Sequence, residues 1–321
     1  MNAANGHVRA VARVAYIFAF PLVLSYADMY AQAIDQSSPS YTRFSSWRHT
    51  YGGGEPRHAG SGRVVDSVAW IDVRAEPSVL CTTRGEEGRR VSIRIADLWG
   101  HEAHGSTSLQ NVGAEESRVI IASPTWVGEI PAGIDHLVRG ESSLLRVAIS
   151  AEVHSDERGR SSKKLHAGCA MGALSVHAAH RASRSPPPMD WVPWAAGDEI
   201  SNRFWSVASF AMSLVEPHPA DEGIMDRIAE IGVAAGEPWG AAGRSVGMLE
   251  AISAGMDDAL TDLLQAARGP VHLERLGGSR QDYDCDYFGR ALSVLIEPSL
   301  RTLMPPDERR RRHTFSSAPS P

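Results

Sequence analysis

Apolar residues at helical spacing open the chain and predict an N-terminal helix over about residues 8–33. They share one helical face: Val11, Ala15, Phe18, Leu22 and Met29. Pro21 lies inside this segment and predicts a kink. Two arginines and the apolar run 14–24 have the outline of a signal peptide, but the run is too short to span a bilayer. Aromatic residues continue past it, which favours a retained helix and a cytoplasmic protein.

The middle of the chain, about residues 63–150, has short apolar runs separated by Gly, Pro, Asp and Asn. This pattern predicts strands at 67–73, 78–82, 91–95, 118–122 and 144–149. Helical stretches do not alternate with them, so an antiparallel β-sandwich is favoured over a parallel sheet. Residues 36–62, rich in Ser, Gly and Pro, are expected to form a long loop.

After residue 160 the pattern becomes helical. Helices are predicted at 165–182, 201–215, 225–231, 245–267 and 287–296. The fold class is therefore α+β. We expect an N-terminal helix at 1–35, a β-sandwich at 36–155, a helical half at 160–300 and a disordered tail at 301–321.

Composition removes several classes of function. The net charge of −6 leaves no basic field for nucleic acid, and neither nucleic acid nor a membrane is an expected partner. The three cysteines form no metal-binding or disulfide pattern, and none stands beside a plausible His base. Phosphate-binding loops and serine-nucleophile motifs are absent from the sequence, so no cofactor is predicted.

Several motifs follow one another in an order typical of a known family. Residues 15–23 read Ala-Tyr-Ile-Phe-Ala-Phe-Pro-Leu-Val, and residues 63–73 place Asp66 and Trp70 before Glu76 and Pro77. Residues 126–133 read Trp-Val-Gly-Glu-Ile-Pro-Ala-Gly, and residues 286–291 read Asp-Tyr-Phe-Gly-Arg-Ala. In this order they resemble the uncharacterised bacterial family called domain of unknown function 1254. The resemblance covers most of residues 15–296 and implies a helix–sandwich–helix scaffold.

The chain departs from the family pattern at three places. Val64 and Val68 stand where the family has Asn and Tyr, and two histidines stand on the loop after residue 96. The resemblance also implies a companion β domain, domain of unknown function 1214, after residue 291, where this chain has a polar tail. The companion domain is therefore expected to be missing. We expect the surface that it would have covered to form the interface of a homodimer.

The segment 97–105 is the most distinctive candidate for chemistry. It places His101, Glu102 and His104 on a Gly-bounded loop at a predicted strand end. Two imidazoles and a carboxylate suit acid–base work near neutral pH, although a solvent-facing loop without a role is the more common explanation of such a pattern. A metal site is a further alternative, but the His-x-x-His spacing differs from the i, i+4 helical motif and no third ligand is evident.

Asp66 is the carboxylate that best fits a family motif. It is expected either to form a buried ion pair with Arg63, Arg94 or Arg146, or to act as an acid or base at a pocket mouth. Aromatic surface suited to an aromatic ligand is also predicted, although each ring is individually more typical of a core. The residues expected to contact a substrate are Trp70, Arg94, Asp97, Trp99, Arg146, His166 and Tyr287.

These expectations define three functional hypotheses. The first is a cofactor-independent enzyme of the cyclase, isomerase or lyase type in bacterial specialised metabolism. It would act on a small organic substrate with Asp66, His101, His104 and Glu102 as acid–base groups. The second is a non-catalytic ligand-binding or assembly protein. The third is a metal-dependent enzyme that uses the loop of His101 and His104.

Overall fold

The structure is a computed structural model that describes residues 3–51, 63–82, 91–103, 117–153, 169–179, 182–267 and 278–296. The chain divides into two compact units. Unit 1 comprises Met1–Tyr30 and Trp191–Pro321, and unit 2 comprises Ala31–Asp190. The architecture is α+β, with a long N-terminal helix, two packed sheets in the middle and C-terminal helices, as the hydrophobic pattern predicts.

Helix α1 of unit 1 spans Ala3–Met29, continues through Pro21 and passes into a π-helical turn, Tyr30–Ile34. Nearly every residue from Val11 to Met29 is buried. By length and composition this segment could cross a membrane, yet 83% of its apolar window is buried inside the structure. A core helix and a signal sequence share this composition, so the cytoplasmic location stays a prediction.

Three later helices of unit 1 match predicted helices with shifted ends, one has its predicted bounds, and the short helix Arg280–Tyr283 was not predicted. They are α3 (Arg203–Met212), α4 (Glu222–Ala229), α5 (Val246–Ala266), α6 (Arg280–Tyr283) and α7 (Tyr287–Ile296); α2 belongs to unit 2. Short 3₁₀ turns occur at Asp198–Ile200 and Pro219–Asp221. Helix α7 has the predicted bounds, because a strong apolar stripe defines it.

Helices α1 and α5 pack closely at Gly255. A Cβ atom there would approach the backbone nitrogen of Arg13 to 2.9 Å and the Cβ of Ala12 to 2.8 Å. Ion pairs flank this contact, from Arg9 to Asp258 and from Arg13 to Asp262, each at 2.6 Å. Both pairs are open to solvent, so they contribute little to stability. The missing side chain at Gly255 therefore sets how near the two helices come.

Unit 2 contains two sheets in its described residues. Sheet A has the strand order β1-β2-β7-β4, and sheet B has the order β6-β5-β3-β8. The strands are β1 (Arg48–Tyr51), β2 (Arg63–Asp72), β3 (Ser78–Thr82), β4 (Val91–Ala96), β5 (Ser117–Ala122), β6 (His136–Arg139), β7 (Leu144–Val153) and β8 (Cys169–Ala173). Helix α2 (Leu174–Ala179) follows β8 directly.

The core of unit 2 lies between the two sheets. Alternate residues of both sheets contribute to it, including Ile71, Leu80, Ile95, Ile121 and Val147. Because successive side chains of a strand point to opposite faces, the residues between them belong to the outer faces. On sheet B that outer face carries a second apolar cluster around Val79, Ile120 and Ala122.

Three local predictions are wrong. Within the helix predicted over 165–182, residues Cys169–Ala173 form a strand instead, because β8 pairs with β3 along its full length, and only Leu174–Ala179 is helical in the described part of that range. The predicted loop 36–62 contains strand β1, which pairs with β2. The sandwich is also not wholly antiparallel, since β5 and β6 run parallel. In each case pairing with a distant segment outweighs the local pattern.

Candidate functional site

The turn after β4 holds the residues of the distinctive loop. The backbone N–H of Asp97 donates to the carbonyl of His101 at 3.0 Å, and the N–H of His101 donates to Asp97 Oδ1 at 3.0 Å. Gly100 allows this reversal because it takes a left-handed conformation, with φ of 82°. The backbone N–H of Ala103 then donates to the carbonyl of Ile95, so the chain returns alongside β4. The aspartate is thus part of the turn that positions His101.

The loop before β7 is fastened to the same turn by Ser142. Its buried hydroxyl accepts the N–H of Leu98 at 3.3 Å and donates to the carbonyl of Leu144 at 2.7 Å. The preceding residue, Glu141, is consequently brought beside His101.

Asp97, His101 and Glu141 form what we call the His101 cluster. His101 Nδ1 lies 3.8 Å from Asp97 Oδ2 and 4.0 Å from Glu141 Oε2. The side chains of His101 and Asp97 are 2% and 1% exposed, whereas that of Glu141 is 37% exposed. One buried carboxylate and one that reaches solvent therefore both lie near the same nitrogen, Nδ1, of a buried imidazole.

The His101 cluster also has the donors of a metal site. One ligand atom from each of its three residues lies within 4.8 Å of the others. Imidazole nitrogen and carboxylate oxygen are ligands that zinc and neighbouring transition metals accept. This set differs from the predicted metal alternative, in which His101 acts with His104.

Glu102 has a different environment from its neighbour His101. Its Oε1 accepts a hydrogen bond from Arg94 Nε at 3.0 Å, and Glu102 bridges Ala96 as the chain returns along β4. This ion pair ties the returning chain to the strand. The acid–base role expected of Glu102, and the substrate contact expected of Arg94, stay predictions.

Several predicted substrate residues lie in the packed interior. Trp70 and Arg146 are directly paired across β2 and β7, with 0% and 9% exposure. Trp99 is 4% exposed. Such burial is typical of packed residues, and the substrate contacts expected of these three residues stay predictions.

Tyr287 belongs to unit 1, where it is part of a polar network. Its hydroxyl donates to Asp221 Oδ1 at 3.0 Å, and Arg280 Nη1 donates to Asp221 Oδ2 at 2.9 Å. Burial and the neighbouring Asp221 carboxylate raise the pKa of Tyr287 above its usual range. The network holds α6 and α7 to the 3₁₀ turn Pro219–Asp221.

Three predicted site residues lie wholly or partly outside the described residues. His104 and His166 lie outside the described residues, and so does the side chain of Asp66. The backbone of Asp66 is described, in the middle of β2 opposite Thr50 and Ser150. Their roles stay predictions.

One expectation about cysteine is wrong. Cys81 Sγ lies 3.9 Å from His177 Nδ1, so a thiol does stand beside an imidazole. Strand β3 carries the cysteine, and α2, which follows the neighbouring strand β8, carries the histidine. Sequence reasoning missed the pair because 96 residues separate its members.

Comparison with known families agrees with the motifs of the sandwich. Residues 44–171 match the family described as "Protein of unknown function (DUF1254)". This segment is a DUF1254 domain. The His101 cluster lies within it, as do Cys81 and the motif that contains Asp66 and Trp70. The resemblance stated from the sequence is confirmed over this segment.

Solved structures extend the likeness of fold beyond the DUF1254 domain. The VPA0106 protein from Vibrio parahaemolyticus matches with a TM-score of 0.65 and 18% identity, over 92% of this chain and 67% of that protein. An uncharacterised protein from Burkholderia cenocepacia matches with a TM-score of 0.26 and 12% identity, over 55% of this chain and 44% of that one. No curated protein matches the chain. The first match shows a shared fold alone.

Proposed function

We propose that the DUF1254 domain is an enzyme that performs acid–base chemistry on a small organic substrate at the His101 cluster. The observation that carries the proposal is the His101 imidazole, buried beside Asp97 and Glu141 at 3.8 and 4.0 Å. Imidazole is the side chain most often used for proton transfer near neutral pH. A cyclase, isomerase or lyase needs such a group and no cofactor.

Each member of the cluster has a distinct part in this proposal. Asp97 Oδ1 is committed to the backbone of the turn, which leaves Oδ2 toward the imidazole. In this proposal Oδ2 moves from 3.8 Å into hydrogen-bond distance when a substrate binds, and then orients the ring as a carboxylate does for a catalytic histidine. Glu141, the half-exposed member, links the buried ring to solvent and to an incoming substrate.

The test compares small-molecule turnover by two histidine variants. Purified wild type, His101→Asn and the control His136→Asn are incubated with a bacterial small-molecule extract, and the products are followed by mass spectrometry. His136 is an exposed residue of β6 in the same domain. We expect wild type and control to consume the same compound, and His101→Asn to be at least about 100-fold slower.

Other outcomes separate this proposal from its rivals. Equal turnover by all three proteins, with His101→Asn folded by circular dichroism, would reject a catalytic role for His101. A compound retained by the protein but left unchanged would instead favour the non-catalytic ligand-binding hypothesis.

A second candidate, a metal-dependent enzyme, is favoured by the same three ligand donors. With bonds of about 2.1 Å, tetrahedral zinc would hold its ligand atoms about 3.4 Å apart, so modest side-chain shifts would close the cluster around an ion. Two carboxylates and a neutral imidazole would balance a divalent charge. Three protein ligands would leave one position for water, whose pKa zinc lowers to about 7.

Calorimetry with Zn²⁺ and Mn²⁺ tests this candidate without requiring a substrate. Wild type should bind one equivalent, and Glu141→Gln should bind at least about 10-fold more weakly. The control is Glu129→Gln, an exposed carboxylate of the same domain, which should match wild type. Equal affinity for wild type and Glu141→Gln would exclude the cluster as the site, whereas turnover by metal-free protein would favour the cofactor-independent enzyme.

A further inference from the structure

We propose that Cys81 is a nucleophilic thiol, with His177 as its base, that forms covalent adducts with small apolar electrophiles of the α,β-unsaturated carbonyl class. The pair is separate from the His101 cluster, and this proposal does not depend on the function proposed there. Its first support is the distance of 3.9 Å between Cys81 Sγ and His177 Nδ1. A thiol beside an imidazole is the arrangement that generates a reactive thiolate.

Hydrogen bonds at the start of helix α2 fix the position of His177. Glu76 accepts the N–H of Ser175 at 2.7 Å and its hydroxyl at 2.9 Å, and also accepts the N–H of Arg184 at 2.7 Å. Burial opposes ionisation of Glu76, but these hydrogen bonds hold the pKa of its carboxyl below the usual value. The charged carboxylate of Glu76 therefore binds the first turn of α2 and also the segment that follows α2.

The surroundings of Cys81 differ from those of an inert core thiol. Its side chain is only partly buried, and it packs against the apolar cluster on the outer face of sheet B. Trp126, Leu137 and Leu174 are partly buried at the same cluster. Arg118 lies directly opposite Cys81 on β5, and a cation on a neighbouring strand also favours a thiolate. An electrophile with an apolar body thus has surface to contact beside the sulfur.

The reaction needs no oxidant and no cofactor. The Cys81 thiol gives its proton to His177 Nδ1, and the sulfur attacks the β carbon of the unsaturated carbonyl compound. A C–S bond forms while the π electrons of the C=C bond move to the carbonyl oxygen as an enolate. The imidazolium then returns the proton to the α carbon, so S–H has been added across the double bond.

The two remaining cysteines are internal references for Cys81. Cys169 is buried, and burial raises the pKa of its thiol to about 11. Cys285 is exposed, and its Sγ lies 3.8 Å from Asp284 Oδ1, with no imidazole in hydrogen-bond contact among the described residues. Accessibility alone therefore favours Cys285, whereas activation by His177 favours Cys81.

The experiment measures labelling of all three cysteines in the native protein. N-ethylmaleimide and the more apolar N-phenylmaleimide are applied at pH 7, and the adducts are resolved by peptide mass spectrometry over time. We expect Cys81 to react at least about 10-fold faster than Cys285, and Cys169 to react last. N-phenylmaleimide should increase the preference for Cys81.

His177→Gln separates activation from exposure, because His177 is a surface residue whose loss leaves the sheet intact. This variant should label at Cys81 at least about 10-fold more slowly, with an unchanged rate at Cys285. The control His136→Gln should behave as wild type at both positions. Equal Cys81 rates in wild type and His177→Gln, or a Cys81 slower than Cys285 in wild type, would overturn the proposal.

Discussion

Replacing Trp70 with alanine is expected to lower the free energy of unfolding by about 3–5 kcal/mol, the range for truncating a fully buried large aromatic residue. Trp70 has no exposed surface and lies on β2, between the paired strands β1 and β7 of sheet A. Truncation removes most of the packing contacts of this side chain and leaves a cavity. Strand β2 cannot move to fill the cavity, because it is hydrogen-bonded to its neighbours in the sheet. This would be a large part of the stability of an ordinary domain.

Urea unfolding followed by circular dichroism measures the effect of Trp70→Ala. Trp70→Phe should lose less, because it retains an aromatic ring in the same place. Val127→Ala is the surface control, since Val127 is 94% exposed, and it should change the free energy by no more than about 0.5 kcal/mol. A loss below about 1 kcal/mol for Trp70→Ala would show that the packing of this side chain contributes little to stability.

Replacing Asp221 with alanine is expected to cost unit 1 about 3–5 kcal/mol, because it leaves a buried arginine without its carboxylate partner. The side chains of Asp221 and Arg280 are only 6% and 10% exposed. The substitution also removes the acceptor of the Tyr287 hydroxyl. The loss is mainly the penalty for breaking a buried charge pair, and not the value of the hydrogen bond itself.

Two variants separate these contributions in the same urea experiment. Tyr287→Phe deletes one hydrogen bond to the carboxylate and should cost about 1.5–3 kcal/mol. Asp226→Ala removes an exposed aspartate of α4 and should fall within about 0.5 kcal/mol of wild type. If Asp221→Ala were no more harmful than Asp226→Ala, the network would have no structural importance.

Sequence patterning located the elements whose own residues define them. Strand β3 has its predicted bounds because polar turn residues flank a short apolar run. Helix α7 has its predicted bounds because its apolar stripe is continuous. By contrast, Cys169–Ala173 is Ala- and Gly-containing, and its strand conformation depends on the edge that β3 offers. Such an edge is a property of the folded sheet.

The candidate site was predictable only in part for the same reason. The turn that begins at Asp97 and contains His101 is local, so both residues could be singled out from the sequence. Glu141 stands forty residues further on and reaches His101 only because β4 and β7 are neighbours in sheet A. The signal that could have found it is the register of these strands, which places the end of β4 beside the start of β7.

The division of unit 1 into two separated segments has a consequence during synthesis. Helix α1 leaves the ribosome first, but α5, against which it packs, follows only after all of unit 2 has been made. At about 5–20 residues per second, the stretch of chain between Met29 and Val246 takes about 10–40 s to synthesise. Throughout that interval the apolar face of α1 lacks its native cover. We expect chaperones that bind hydrophobic segments to bind α1 early in synthesis. They should be released only when the C-terminal helices emerge and cover α1.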